Sequence, residues 1–460
     1  MFHRVIVYAK YRQYNNWIVK ILFRLYDSYM SSYIITGGKP LSGSIRVSGN
    51  KNAALPCLAA TLLTNQTVVL RNIPDIEDVS IMLSLLECLG SRVQRLEPHV
   101  LAITTEARPS HMLQELPAQL VDAIRASLLL VGPLVATRGR VELPPPGGDV
   151  IGFRRLDTHF LGLEALGCSC RITDKGFLEI VGTRMHGNDV FLDETSVTAT
   201  ENVIMAAVRV KGTTIVRNAA SEPHVQDLCS MLVAMGADIQ GIGSNLLRIT
   251  GKDVLGGCDF SIGADYMEVG SYIGLAAATK GELLLQGVDL HQLPMIRLGF
   301  QRIGVDWTTL GSDSILIPAK QHRIMRKALN GMTSKVDDAP WPGFPADLLS
   351  IITVTATQMR GSILIHEKMY ESRMFFVDWL IRMGADIILC DPHRAVVKGP
   401  AKLKSANVTS PDVRAGMALV IAALCADGVS SIQNIYQIER GYEHLAEKLL
   451  GVGAAIERVE

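Results

Sequence analysis

A hydrophobic residue followed by glycine recurs six times along the chain, at Leu89-Gly90, Leu166-Gly167, Met235-Gly236, Ile303-Gly304, Met383-Gly384 and Val452-Gly453. The glycines lie 77, 69, 68, 80 and 69 residues apart. Each pair ends an amphipathic stretch and precedes a strand-like one, which is where a left-handed helix cap belongs. A second marker keeps step with the first. A helix of small and aliphatic residues ends at Asn65, Gly139, Gly212, Gly281, Gly361 and Gly428, each followed by a β-branched run. One unit therefore reads helix, strand, second helix, strand, with a further strand closing it. A repeat of this length dictates the fold before any single residue does.

The first helix of each unit is apolar nearly all round, as in Ala126-Ser127-Leu128-Leu129-Leu130-Val131 or Ala415-Gly416-Met417-Ala418-Leu419-Val420. Such helices are buried on every side. The second helices, such as Glu439 to Leu450, are amphipathic and can cover a sheet. At 460 residues the chain exceeds what one core serves. Six units then predict an α/β protein of two similar domains, with sheets outside and helices packed inside.

Lys+Arg and Asp+Glu balance at 45 each, so no overall field draws the chain to nucleic acid. The eight cysteines are scattered, without C-x-x-C pairs or zinc spacing, and read as core residues of a reducing cytoplasm. No apolar run reaches the about 20 residues of a membrane span. Residues 1–29 differ from the rest: they hold five of the eleven tyrosines, and five cations against one acid, Asp27. That composition suits a membrane surface, yet no repeat unit needs it. It reads as an extension outside the fold, with Met30 opening the regular protein.

Fourteen residues before each turn marker lies the start of a buried helix: Lys51, Arg125, Thr198, Met267, Asp347 and Arg414. Three of these are cations at a helix N-terminus, where the macrodipole disfavours positive charge. Internal salt bridges, to Asp122 or Asp412 for instance, would account for any one of them. For the set, an anionic ligand held by free N–H groups and cations is the better account. The loop Pro144-Pro145-Pro146-Gly147-Gly148-Asp149 is stiff and then permissive, as a lid with an acid at its tip would be.

The runs Ser48-Gly49-Asn50-Lys51-Asn52-Ala53-Ala54-Leu55-Pro56, Arg125-Ala126-Ser127, Gly147-Gly148-Asp149, Pro345-Ala346-Asp347 and Asp412-Val413-Arg414-Ala415 stand in the order and spacing of the UDP-N-acetylglucosamine 1-carboxyvinyltransferases. The chain resembles that family from about Tyr33 to its C-terminus. The resemblance implies two domains of three βαβαββ units each, an inside-out α/β barrel: residues 30–50 with 264–460, and residues 51–263 with the catalytic tip loop 144–157. It implies transfer of the enolpyruvyl group of phosphoenolpyruvate to the sugar 3-hydroxyl of UDP-N-acetylglucosamine, the first committed step of peptidoglycan precursor synthesis. No metal or organic cofactor is called for.

By the same resemblance, Lys51, Arg125 and Arg154 would hold the phosphate of phosphoenolpyruvate, and Arg373 and Arg414 its carboxylate. Asn52 would touch both substrates. Arg154, Arg155, Leu156, Asp157 and Thr158 match the uridine contacts, Ser196 and Val197 the diphosphate side, and Asp347 and Met369 the sugar side. Asp347 would be the base for the 3-hydroxyl, and Asp149 the general acid. The family's usual residue at that acid position is Cys, the target of the epoxide antibiotic fosfomycin. Arg155, Ala346 and Tyr266 also depart from the usual Pro, Thr and Arg. The rival readings are 5-enolpyruvylshikimate-3-phosphate synthase, whose Gly-Asn-Ala-Gly-Thr loop is missing here, and a non-catalytic sugar-nucleotide binder, which has no need of both Asp149 and Asp347.

Overall fold

The structure is a computed structural model that describes residues 31–106, 116–148, 152 and 154–460. The extension, residues 1–29, and Asp149 lie outside the described residues. Six sheets correspond to the six units, five with four strands and one with three. All six glycines of the hydrophobic-Gly pairs have positive φ, between 79° and 98°, so they are the left-handed caps that the repeat predicts.

Among the described residues, three sheets hold a parallel pair joined by a buried helix, and the three-stranded sheet is antiparallel throughout. Asn407–Thr409 leads into the helix Val413–Cys425, which returns as Val429–Gln433 alongside. Ser334–Asp337, the helix Leu349–Ala356 and Gly361–His366 repeat the pattern. Twice the parallel partner is exchanged between the two halves of the molecule. Ser42–Arg46 lies beside Glu282–Gln286, whereas Asp259–Ser261 lies beside Val68–Arg71. The chain thus leaves one half after Arg46 and re-enters it after Ser261. The two crossings run side by side: Asn50 N donates to Gly263 O at 2.8 Å and Asp265 N to Ser48 O at 2.9 Å.

The buried hydrophobic side chains form two clusters, one from residues 33–47 and 266–456, the other from residues 53–262. At the centre of the first, the helices Tyr266–Thr279, Leu349–Ala356 and Val413–Cys425 pack on one another. The first two are buried throughout and the third is buried except for Cys425. Glycine lets them approach closely, since a Cβ at Gly270 would press into the Leu348 side chain. In the second cluster Lys51–Ala60, Val131–Arg138 and Val197–Ala207 are the corresponding helices. The protein is therefore a two-part α/β fold with helices inside and sheets outside. Among the described residues no helix is long and apolar enough to cross a membrane.

At the helix of Arg414, Ser410 Oγ donates to the Asp412 carbonyl, and the Asp412 carboxylate is the cap. One local expectation is corrected. The amphipathic segment from Glu439 to Leu450 is not one helix. It breaks into Tyr436–Glu439 and Leu445–Gly451, with His444 at φ 47°. The break frees Arg440, Tyr442 and Glu443 to face the junction between the halves.

Candidate active site

All six helix-start positions, Lys51, Arg125, Thr198, Met267, Asp347 and Arg414, line one cavity of about 290 Å³ between the two halves. Side-chain caps at Asn50, Ser196, Asp265 and Asp412 turn the chain so that Lys51, Thr198, Met267 and Arg414 fall in the first turn; the short 3-10 turns of Arg125 and Asp347 have no such cap. The Asn50 carboxamide oxygen accepts from Asn52 N at 2.8 Å and Ala53 N at 3.2 Å. The Asp412 carboxylate accepts from Arg414 N at 2.8 Å and Ala415 N at 2.9 Å. Capping by a short polar side chain satisfies N–H groups that the helix itself leaves unbonded.

Cations dominate the walls. Lys51, Arg125, Arg154, Arg373, Arg414 and Arg440 all line the cavity. Arg125 donates to the Arg154 carbonyl at 2.9 Å, and burial together with the Arg154 charge pushes its guanidinium down to about 10. Neighbouring cations held this way favour an anion between them. The tip loop packs onto them: Gly148 has φ 101°, and a Cβ there would sit 2.8 Å from that of Arg125. At Gly152, still in the loop, a Cβ would run into the Glu371 carboxyl from the opposite half.

Two carboxylates hold the remaining cations in pairs. Asp78 is 2.7 Å from Lys51 Nζ and 2.7 Å from Arg440 Nε, joining the halves across the cavity. Burial would raise its carboxyl, but Lys51 and Arg440 outweigh that and lower it. Asp347 accepts from Arg373 Nη2 at 2.5 Å and from Arg414 Nε at 3.0 Å. Here too burial acts upward, and the two arginines hold the carboxyl well below the usual range. Tyr370 and Tyr442 back these arginines, with guanidinium carbons 4.9 and 5.1 Å from the ring centres. Arg373 Nε and Arg414 Nη1 are buried and have no hydrogen-bond partner among the described residues. Unused donors on paired guanidiniums are what an arriving carboxylate needs.

A third wall holds buried groups whose charged forms are disfavoured. Glu201 and Glu222 are raised, chiefly by burial, and buried His224 is lowered to about 4. The His224 ring lies parallel to Tyr266, which meets Trp341 edge-on at 5.6 Å. Tyr266 and Trp341 both belong to the half opposite His224, and Ser221 Oγ donates to the Trp341 carbonyl at 3.2 Å.

Asn52, Arg154, Val197, Met369 and Arg373 join the helix-start residues around the cavity. Arg155, Leu156, Asp157, Thr158 and Ser196 do not line it, but they follow or precede lining residues directly in the chain. Arg155 Nη2 and Thr158 Oγ1 both donate to Asp193, each at 2.8 Å, so these side chains form one polar strip. The motifs alone did not reveal Asp78, Glu201, Glu222, His224 or Arg440. Glu201 had a readable signal, an acid on an otherwise apolar buried helix; Arg440 had none, because it depends on the helix break.

Comparison with known proteins fits this geometry. The EPSP synthase (3-phosphoshikimate 1-carboxyvinyltransferase) family profile matches residues 35–449. The enolpyruvyl transferase NikO from Streptomyces tendae shares the fold, with TM-score 0.82 at 23% identity, over 94% of this chain and 99% of that one. An EPSP synthase from Acinetobacter baumannii superposes with TM-score 0.71 at 18% identity, over 94% of this chain and 100% of that one. Sequence similarity is far higher to the UDP-N-acetylglucosamine 1-carboxyvinyltransferase of Treponema denticola, 54% identical over 94% of this chain and 100% of that protein. The enzyme of the same name from Bradyrhizobium diazoefficiens is 52% identical over 93% of this chain and 98% of its own. With this identity sustained over nearly the full length, the chain belongs to the UDP-N-acetylglucosamine 1-carboxyvinyltransferase family.

Proposed function

We propose that this enzyme transfers the enolpyruvyl group of phosphoenolpyruvate to the 3-hydroxyl of UDP-N-acetylglucosamine and releases phosphate, opening peptidoglycan precursor synthesis. The observation that carries the reading is near-full-length identity to enzymes of that name. The convergence of the helix starts on one cationic cavity supports it. Two domains, residues 30–50 with 264–460 and residues 51–263, close on the substrates, with the paired crossings as hinge. Work on a soluble sugar nucleotide places the enzyme in the cytoplasm, serving cell-wall growth, cell shape and division.

Lys51, Arg125 and Arg154 take the phosphate, Arg373 and Arg414 the carboxylate, and Asn52 touches both substrates. Arg440, through its bridge to Asp78, completes the cationic wall. Arg155, Leu156, Asp157, Thr158, Ser196 and Val197 follow the uridine diphosphate, and Met369 and Asp347 face the sugar. Asp149 protonates the methylene carbon as the sugar oxygen, losing its proton to Asp347, bonds to the neighbouring carbon. The adduct then returns a methyl proton to Asp149 as the carbon–phosphate oxygen bond breaks. The departing phosphate takes up the proton that the hydroxyl released.

In the ligand-free site Asp347 is a poor base, because Arg373 and Arg414 already satisfy it. The substrate carboxylate reaches the unused Arg373 Nε and Arg414 Nη1, shares their charge and loosens Asp347. One substrate thus activates the base that acts on the other. An Asp in place of the usual Cys leaves no thiolate for fosfomycin, so the enzyme resists it. Phosphate release tests the whole reading: it requires phosphoenolpyruvate and UDP-N-acetylglucosamine together, and release with shikimate 3-phosphate instead refutes it.

A further inference from the structure

The strands Ser334–Asp337 and Gly361–His366 are parallel, with Asp337 opposite His366. The next residue on each is acidic, and both Asp338 and Glu367 have no exposed surface. Register therefore sets two carboxyls side by side in the interior. From Asp338 the chain runs through Trp341 to Asp347; from Glu367 it runs through Met369 and Tyr370 to Arg373.

The two acids hold the roots of both loops. Lys368 N donates to Asp338 Oδ1 at 2.6 Å and Tyr370 N to Glu367 Oε1 at 3.1 Å. Met369 N is shared, 3.3 Å from Asp338 Oδ2 and 3.2 Å from Glu367 Oε1. On the other side, Asp338 N donates to the His366 carbonyl at 3.3 Å and Ala339 N to the Phe344 carbonyl at 3.1 Å. Glu367 Oε2 meets no donor among the described residues.

The charged and titratable groups around the pair do not neutralise it. Lys368 turns its ammonium to Asp337. His393 directs Nδ1 at the Glu367 carbonyl, not its carboxyl. Arg373 acts on Glu367 but is bonded to Asp347, and Tyr370 carries no charge. Two adjacent carboxylates in so buried a place cannot both stay ionised, and a proton on one gives the other the donor it lacks. Burial first, and Asp338 second, push the Glu367 carboxyl up to about 9, with Arg373 opposing.

We propose that Glu367 and Asp338 share one proton and serve as positioning residues, locking the loop of the base Asp347 to the loop of the carboxylate-binding Arg373. The inference rests on the roles given to Asp347 and Arg373 in the proposed function. Above the pH at which the proton is lost, the two charges repel and the N–H groups of residues 368–370 lose their aligned acceptors. Arg373 then drifts from Asp347, so KM for phosphoenolpyruvate rises more than kcat falls. Stability follows the same proton: a raised Glu contributes fully below about pH 4.5, and that contribution is lost as pH climbs toward about 9.

Glu367→Gln tests this directly, because its amide N–H replaces the shared proton and does not titrate. At neutral pH the whole enzyme should show the infrared band of a buried protonated carboxyl; Glu367→Gln should lack it, and Asp338→Asn should keep it at a shifted frequency. Between about pH 7 and pH 10, KM for phosphoenolpyruvate should rise about fivefold or more in the unmodified enzyme and stay within about twofold in Glu367→Gln. Glu367→Ala should raise KM at every pH. If the band is absent from the unmodified enzyme, or if Glu367→Gln shows the same alkaline rise in KM, the shared proton is refuted. Should Glu367→Gln fail to fold, the band of the unmodified enzyme and its loss between about pH 7 and pH 10 carry the test. The infrared result is independent of turnover, so it separates failure of this inference from failure of the assigned reaction.

Discussion

Replacing Asp347 by Asn should have two opposite effects, slower chemistry and tighter binding of phosphoenolpyruvate. Asp347 accepts one hydrogen bond from each of Arg373 and Arg414, at 2.5 and 3.0 Å. Bonds to charged groups contribute about 1.5–3 kcal/mol each. The substrate carboxylate must compete for these same guanidiniums, of which Arg373 Nε and Arg414 Nη1 have no hydrogen-bond partner among the described residues. Asn keeps the shape and one acceptor but no charge, so roughly one charge-assisted bond's worth of competition disappears. That is about 1.5–3 kcal/mol, or about 10- to 150-fold in Kd. The same change leaves two buried arginines uncompensated, which should cost the ligand-free fold about 3 kcal/mol. Loss of the base should lower kcat by about 10²- to 10⁴-fold. Calorimetric titration of phosphoenolpyruvate into the variant saturated with UDP-N-acetylglucosamine measures the affinity, and a thermal melt with and without ligand measures the stability. Unchanged or weaker binding by the folded variant would refute the exchange of carboxylates, and an undiminished kcat would refute the base.

Arg414→Ala should raise KM for phosphoenolpyruvate about tenfold or more, since it removes one carboxylate contact and leaves Asp347 half-paired; steady-state kinetics at saturating UDP-N-acetylglucosamine checks it. Asp149→Asn should nearly abolish turnover, whereas Asp149→Cys should keep it and acquire time-dependent inactivation by fosfomycin, followed by intact mass; a stable fosfomycin adduct on the unmodified protein would contradict the role of Asp149. A chain starting at Met30 should melt and turn over like the full chain, and a large loss of activity or solubility would place the extension inside the fold.

The repeat was legible because helix capping is local: a left-handed glycine after a helix leaves the same mark in every unit, and the six φ values follow from it. The site positions were legible for a related reason. Counting back one helix length from each turn finds residues that the fold must bring to a common centre, since buried helices in a closed ring of units begin at the same level. What stayed hidden depends on contacts between the halves. Gly441 is a weak local mark of the break at Arg440–His444, because the amphipathic pattern continues through it in the sequence. The break is kept because its residues bond across the junction. Arg440 meets Asp78, and Glu443 accepts from Asp75 N at 2.6 Å.

These cross-junction bonds bear on how the cavity is set for catalysis. Asp78 binds Lys51 from its own half and Arg440 from the other. Asp347 binds Arg373 and Arg414, both from its own half. The first pairing can form only when the halves meet, whereas the second persists whatever their separation. With the roles proposed for these residues, the phosphate-binding cations would be completed by closure, and the carboxylate-binding pair would be assembled beforehand. Phosphoenolpyruvate, which carries one anionic group at each end, would be the ligand that joins both. Its carboxylate would loosen the base, while its phosphate would draw the Arg125 and Arg154 side of the cavity onto the same molecule. On that proposal closure and activation of Asp347 depend on one ligand, so the sugar hydroxyl is deprotonated only when its reaction partner is already in place.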